Sequence, residues 1–309
     1  MSAGPTDIIL HQYDGFAPFS AKTRVMLGIK QLTWYSCAQP VIMPKPHLIP
    51  LTGGYRKIPV MQIGADIWCD TRAILHELER RHPTKGGIGQ GISDAVSVLC
   101  DRVLFGLSVP LVFGGNTAIQ IDEAFAKDRE AMSGAPFDPA AMAAAGPYAE
   151  SVMRAHLSAF NNDLADGRKF LAGDTPTQAD ASVFYLLQFA GAAHGGMHPK
   201  LADLTNLVAW SQRVNAIGAG NRKDTDGEQA LAVAKAATPA TPPPSLGNDP
   251  LGLKLGSRVS VAADDYGKDP CVGELVSLGA DTVTVRRSAP EVGEVNVHFP
   301  RVGFTITPA

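Results

Sequence analysis

Apolar positions in the first 82 residues come in short blocks whose period switches between two and 3.6. Ile8, Ile9 and Leu10, followed by His11, make a short buried strand, and residues 19–30 place Val25, Met26 and Ile29 at helical spacing. Leu32, Thr33, Trp34 and Tyr35 read as a second strand, after which Pro40, Pro44, Pro46 and Pro50 exclude regular structure. Residues 55–63 are extended with a proline stop at Ile58 and Pro59, where a cis bond is accessible. Gly64, Ala65 and Asp66 turn the chain into Ile67, Trp68 and Cys69, and Asp70 and Thr71 can cap the helix that follows. The order is β-α-β, a proline-rich loop, then β-β-α. His82, Pro83, Gly86 and Gly87 close this first domain, residues 1–84.

From about Ser93 to Gly220 the spacing is helical. Ala95, Val98, Leu99, Val103, Leu104 and Leu107 form one stripe, and Val152, Met153, Leu157, Phe160 and Leu164 another. Gly114, Gly115, Gly134 and Pro136 separate helices. Thr177 and Asp180, three apart before an apolar run, form a capping box; Asp180 is therefore structural rather than a catalytic acid. A last helix over residues 221–237 completes an all-helical domain, residues 90–237. Residues 238–250 are a proline-rich extended linker. Short alternating strands at 258–261, 272–276, 282–286 and 295–299 then indicate a small SH3-like β-barrel over residues 251–309. His298, Phe299, Pro300 and Arg301 in its last strand read as packing groups rather than an RNA or peptide reader.

Composition narrows the function classes. The 309 residues carry 27 basic and 30 acidic side chains, a net charge of -3, without a long single-sign run, so nucleic acid and membrane surfaces are not expected partners. The N-terminal stretch lacks a basic signal region, and no membrane span is read. Cys37, Cys69, Cys100 and Cys271 are scattered without zinc or redox spacing, which suits buried thiols in a reducing cytoplasm. His194 and His198 have the spacing of a metal pair, but Gly195, Gly196 and Pro199 argue against the helix such a pair needs. No metal is expected.

The segment around Ile58, Pro59, Asp70 and Thr71 resembles the glutathione-binding half of a thioredoxin-like domain in the glutathione transferase superfamily. The string from Phe170 to Asp180 is similar to the capping-box motif of that family's helical domain. The resemblance covers roughly the first 220 residues and implies an α+β chain: a thioredoxin-like domain, an all-helical domain and the extra β module. It implies that glutathione is the co-substrate, its cysteinyl part pairing with the main chain of Ile58 ahead of a cis-Pro59. Its γ-glutamyl carboxylate would sit at Asp70 and Thr71, where the family more often has Glu-Ser. Lys57, Arg56 and His47 are candidates for its glycyl carboxylate.

Glutathione chemistry needs a thiolate, yet a free cysteine thiol is only about 3% ionised at neutral pH. A hydroxyl and a helix N-terminus can supply the stabilisation, about 1.4 kcal/mol per unit of pKa. The string 17–24 resembles the Ser/Cys-Pro-Phe-x-x-Lys/Arg-x-Arg signature of bacterial, omega-like and zeta-like members, but Ala17 stands where they carry serine or cysteine. Tyr13 and Ser20 are the remaining catalytic candidates. Phe105, Phe113, Phe184, Tyr185 and Phe189 are candidates for a hydrophobic pocket, with core packing as the competing reading. The expected protein is a cytoplasmic, homodimeric glutathione transferase conjugating a small hydrophobic electrophile, as in detoxification. The alternative is a non-catalytic binding or scaffold protein of the same fold, which Ala17 favours and the Asp70 and Thr71 pair disfavours.

Overall fold

The computed structural model describes residues 2–15, 17–84, 90–114 and 121–309; the expected breaks at Gly86, Gly87 and Gly115, and Phe16 of the helix-start motif, lie outside them. β1 (Ile9–Gln12) runs parallel to β2 (Thr33–Ala38), with α1 (Pro18–Ile29) crossing between them. The prolines hold the chain irregular up to a single turn, α2 (Ile49–Thr52), after which β3 (Val60–Ile63) pairs antiparallel with β1 and with β4 (Asp66–Cys69). Gly64 makes the tight turn at φ 60°, where a side chain would also press on the carbonyl of Pro5. Helix α3 (Thr71–Arg81) follows at once. Met26 and Leu27 of α1 and Ile74, Leu75 and Leu78 of α3 bury against Leu10, Trp34, Met61 and Trp68 of the strands. This is the expected thioredoxin-like order.

The second domain is helical as expected: α4 (Gln90–Val98), a π-helical segment Leu99–Leu104, α5 (Phe105–Phe113), α6 (Glu123–Ser133), α7 (Pro139–Asp163), α8 (Gln178–Ala190) and α9 (Thr205–Ile217). Helix α8 is its buried centre, and the capping box at its start is formed. The Asp180 carboxylate, fully buried, accepts hydrogen bonds from Thr177 N at 2.8 Å, Leu171 N at 2.9 Å and Trp210 Nε1 at 2.8 Å. Val25 of α1 joins this core from the other side, so α1 is held between the sheet and α8. The continuous run Gln90–Phe113 is long and apolar enough to cross a membrane, by length and composition, which the sequence reading passed over. Here it packs on α7 and α8.

The chain then returns to the sheet. Residues expected to open a last helix form β5 (Asn221–Thr225), which pairs parallel with β2; the helix, α10, covers only Gly227–Ala236, capped by Asp226 accepting from Gln229 N. The open backbone edge of β2 outweighs the weak helical preference of this polar segment. The proline-rich stretch is extended as expected, but it is hydrogen-bonded in place: Ala240 N donates to Asp66 Oδ2 at 2.8 Å, and Pro243 O accepts from Ser277 Oγ at 2.6 Å.

The appended β module comprises β6 (Arg258–Ala263), β7 (Cys271–Leu278), β8 (Thr282–Ala289), β9 (Gly293–Pro300) and β10 (Phe304–Pro308). Neighbouring strands are antiparallel, and β9 lies parallel to β4, so one ten-stranded sheet runs β10-β6-β7-β8-β9-β4-β3-β1-β2-β5. Val259, Val261, Leu275, Val283, Val285 and Phe299 share a core with Leu48, Leu51, Tyr55 and Leu231. His298 and Phe299 are buried, in keeping with a packing role.

His76 on α3 fastens all three parts. Its Nε2 lies 2.8 Å from Asp94 Oδ1 on α4, and its Nδ1 lies 3.1 Å from Asp281 Oδ2 between β7 and β8. Burial opposes the imidazolium, as does nearby Arg72, but hydrogen bonds to Asp281 and Asp94 raise its pKa from 6.5 to about 9. The folded value exceeds the unfolded one, so this stabilisation is complete below pH 6.5 and is lost as pH rises through about 9. Urea denaturation between pH 7 and 10 should therefore show a steeper loss of midpoint in the wild type than in His76→Leu; parallel curves would refute the linkage.

Candidate functional site

A cavity of about 770 Å³ lies where the three parts meet. Its lining includes Ala17, Pro18, Phe19 and Ser20 at the start of α1, Lys57, Ile58 and Pro59 ahead of β3, and Asp70, Thr71 and Arg72 at the start of α3. Asp101, Arg102, Phe105 and Phe113 come from the long apolar helix, and Asp265, Tyr266 and Phe304 from the β module. A smaller hollow of about 420 Å³ between α1, α8 and α9 shares Ala17, Pro18 and Phe189 with it and is also lined by Phe184 and Tyr185, but holds none of the expected glutathione or catalytic residues.

The Ile58-Pro59 bond is cis. Asp70 has φ 78° and ψ 142°, a conformation that costs a non-glycine residue of order 1–3 kcal/mol, and its Oδ1 accepts from Arg72 N at 2.8 Å, closing the cap of α3. Burial raises the Asp70 carboxyl above the usual range, with Lys57 and the Arg72 amide opposing. The Thr71 hydroxyl is 3.4 Å from Lys22 Nζ, and Lys22, fully buried, donates to Asp101 Oδ2 at 2.6 Å. Tyr185 donates to the other Asp101 oxygen at 2.9 Å. A chain of polar groups thus runs from the helical domain to the start of α3.

Of the two hydroxyl candidates, both line the cavity. Tyr13 Oη already accepts from Lys45 Nζ at 2.9 Å, and burial raises the phenol pKa against the pull of Arg129, so the proton stays on at neutral pH. Burial, with Arg129 and Arg56 adding repulsion, brings the Lys45 ammonium down to about 7. Ser20 Oγ is buried and has no hydrogen-bond partner, and Arg72 Nε is likewise unpartnered. Orphaned donors on lining residues are what a bound anionic ligand would satisfy. Ala17 adds no side-chain cap to α1, leaving its first amides unsatisfied by that residue.

The three candidates for the glycyl carboxylate separate. Lys57 lines the cavity but is paired with Asp265 at 2.9 Å. Arg56 is buried in an ion pair with Asp128. His47 is not among the lining residues: it sits against α10, where its Nε2 is 3.0 Å from Glu228 and its ring fills the space above Gly227, so its assignment to the ligand is corrected. Among the aromatics, Phe105, Phe113 and Phe189 line the cavity together with Phe125 and Phe137, whereas Phe184 and Tyr185 belong to the helical core and line the smaller hollow beside α1.

The four cysteines are free and buried, and burial pushes Cys37 up to about 11 and Cys271 to about 12, which disfavours a nucleophilic role. His11 is buried, hydrogen-bonded to Gln62 and lowered to about 4, chiefly by burial. The His194 and His198 rings meet edge-on at 4.7 Å, and among the described residues no group of three His, Cys, Asp or Glu is placed for a metal. Lys22 and Asp101 were missed as site residues. An acid inside an apolar helical run, one of two with Asp94, was the available signal for Asp101. Asp265 and Tyr266 carried none, because their proximity depends on the whole sheet.

Two family models match: residues 11–86 match Glutathione S-transferase, N-terminal domain, and residues 120–213 match Glutathione S-transferase, C-terminal domain. Among solved structures, a GST-like protein from Pseudomonas syringae is similar with a TM-score of 0.80 and 33% identity, over 98% of this chain and 100% of that one. The likeness therefore takes in the β module. A glutathione S-transferase from Rhodospirillum rubrum F11 (TM-score 0.52, 21% identity) and FzlA from C. crescentus (TM-score 0.50, 21% identity) each cover 68% of this chain and 88% of their own, a likeness of fold alone. No curated protein sequence matches.

Removing Asp101 strands the buried Lys22 ammonium. Asp101→Leu should destabilise the protein by about 3 kcal/mol or more, and the double variant with Lys22→Met should recover much of the loss, measured by urea denaturation. An additive double variant would show that the pair is not coupled.

Proposed function

Because this chain belongs to the glutathione S-transferase superfamily, we propose that it binds glutathione in the 770 Å³ cavity and transfers its sulfur to a small hydrophobic electrophile. The observation that carries this reading is the meeting, in one cavity, of the Ile58 main chain before a cis proline, the Asp70 and Thr71 helix start, and the N-terminus of α1. Ile58 offers strand-like pairing to the cysteinyl unit. Thr71 and the start of α3 take the γ-glutamyl carboxylate, with Arg72 Nε as a spare donor. The sulfur then lies toward α1, where the helix N-terminus and the unpartnered Ser20 hydroxyl favour thiolate. Phe105, Phe113, Phe137 and Phe189 give the electrophile an apolar end.

Binding without turnover is the second reading, favoured by Ala17 and by the engagement of Tyr13 with Lys45. A homodimer fits the exposed Ile92 and Val103 on the long apolar helix, and a reducing cytoplasm fits four free thiols.

Retention on immobilised glutathione and conjugation of a chromogenic aryl halide test both readings. Thr71→Val should weaken glutathione by about 1–3 kcal/mol, and Ser20→Ala should lower kcat with little change in KM. Unchanged affinity in Thr71→Val would remove the site assignment. A wild type that is retained but gives no product would establish the second reading.

A further inference from the structure

The loop between β6 and β7 reaches out of the β module into the cavity and changes what the site can recognise. It is pinned at three points: Arg102 Nη2 donates to Asp264 Oδ1 at 2.7 Å, Gly267 N donates to Met132 O at 2.7 Å, and Lys57 Nζ donates to Asp265 Oδ1 at 2.9 Å. Lys57 also lies 4.5 Å from the centre of the Tyr266 ring and 6.0 Å from that of Phe304. The one basic side chain beside Ile58 that lines the cavity is thus enclosed by groups of the module and neutralised by Asp265.

The same holds for the other cations of the lining. Among the described residues, Arg72 is paired with Asp94, Arg102 with Asp264 and Arg129 with Asp128. Arg72 keeps a buried unpartnered donor, Nε, but it stands at the start of α3, away from Lys57 in the chain. A carboxylate arriving beside Lys57 would meet Asp265 already there, with Asp264 next to it, and would be repelled at a cation site whose charge is already balanced. An amide or ammonium group would instead find Asp265, still partly exposed, as an acceptor between aromatic walls.

We propose that the cavity selects γ-glutamyl-cysteinyl thiols whose C-terminal end is amidated or amine-extended rather than a free carboxylate, and that Asp265 is the residue that sets this preference. The inference rests on the glutathione reading above and specifies the ligand of that same site.

Titration calorimetry at pH 7 with S-methylglutathione and with its glycyl amide tests it. The wild type should bind the amide about fivefold more tightly, a ratio equivalent to ~1 kcal/mol. Asp265→Asn, which removes the charge but keeps a carbonyl oxygen to accept from the amide, should strengthen the free acid by about the same factor and change the amide by no more than about twofold. Lys57→Met, which keeps Asp265, should weaken the free acid further and spare the amide. Tighter or equal binding of the free acid by the wild type overturns the proposal while leaving glutathione binding intact, and so does equal weakening of both ligands in Asp265→Asn. If neither ligand binds the wild type or either variant, the glutathione reading itself has failed and the proposal falls with it.

Discussion

The exposed edge of β4 is the constraint on which this architecture depends. A strand edge presents unpaired amides and carbonyls that must find partners or water. Here β9 satisfies them, matching Asp66 with Asn296 and Trp68 with His298. The seam is sealed by polar groups that leave little unsatisfied: His298 Nε2 lies 2.8 Å from Asp66 Oδ1 and its Nδ1 lies 3.0 Å from Thr284 Oγ1, while Asn296 Nδ2 donates to Ala240 O at 3.0 Å. The His298 ring also stacks on Trp68, with centroids 4.8 Å apart. Such buried polar groups are costly when half-paired, so this register is strongly specified. Because β9 is fixed, the loop after β6 and Phe304 of β10 are carried to the cavity.

The site itself is built from helix beginnings. Helices α1 and α3 both start at its wall, one without a side-chain cap and one capped by a residue in a strained conformation. Between them lies a fully buried lysine whose charge is balanced from the helical domain. Thr71 is therefore oriented by a group two domains must cooperate to hold. The loss of a polar side chain at Ala17 does not empty the α1 start of chemistry, since Ser20 lies one turn on without a partner.

What could be read from the sequence was local. The proline step at Ile58, the cap at Asp70, and the Thr177 and Asp180 box each act over a few residues, and each appears where its chemistry requires. The acidic groups that engage His47 and Arg56, Glu228 and Asp128, lie far along the chain, so these pairings had no local signal. Strand β5 was read as helix because its pairing with β2 is an effect of tertiary context on a polar segment. Alternation identified the terminal strands, but nothing local says that β9 will adopt β4 as a neighbour.

The parallel pairing of β4 with β9 has a consequence for synthesis on the ribosome. Residues 293–300 emerge long after residue 69, by a delay on the order of 10–40 s at ordinary elongation rates. Through that interval the nascent thioredoxin-like sheet has one bare flank beside Ile67 and Trp68. A partner that shields such a flank, or slow self-association through it, would govern yield before any question of activity arises.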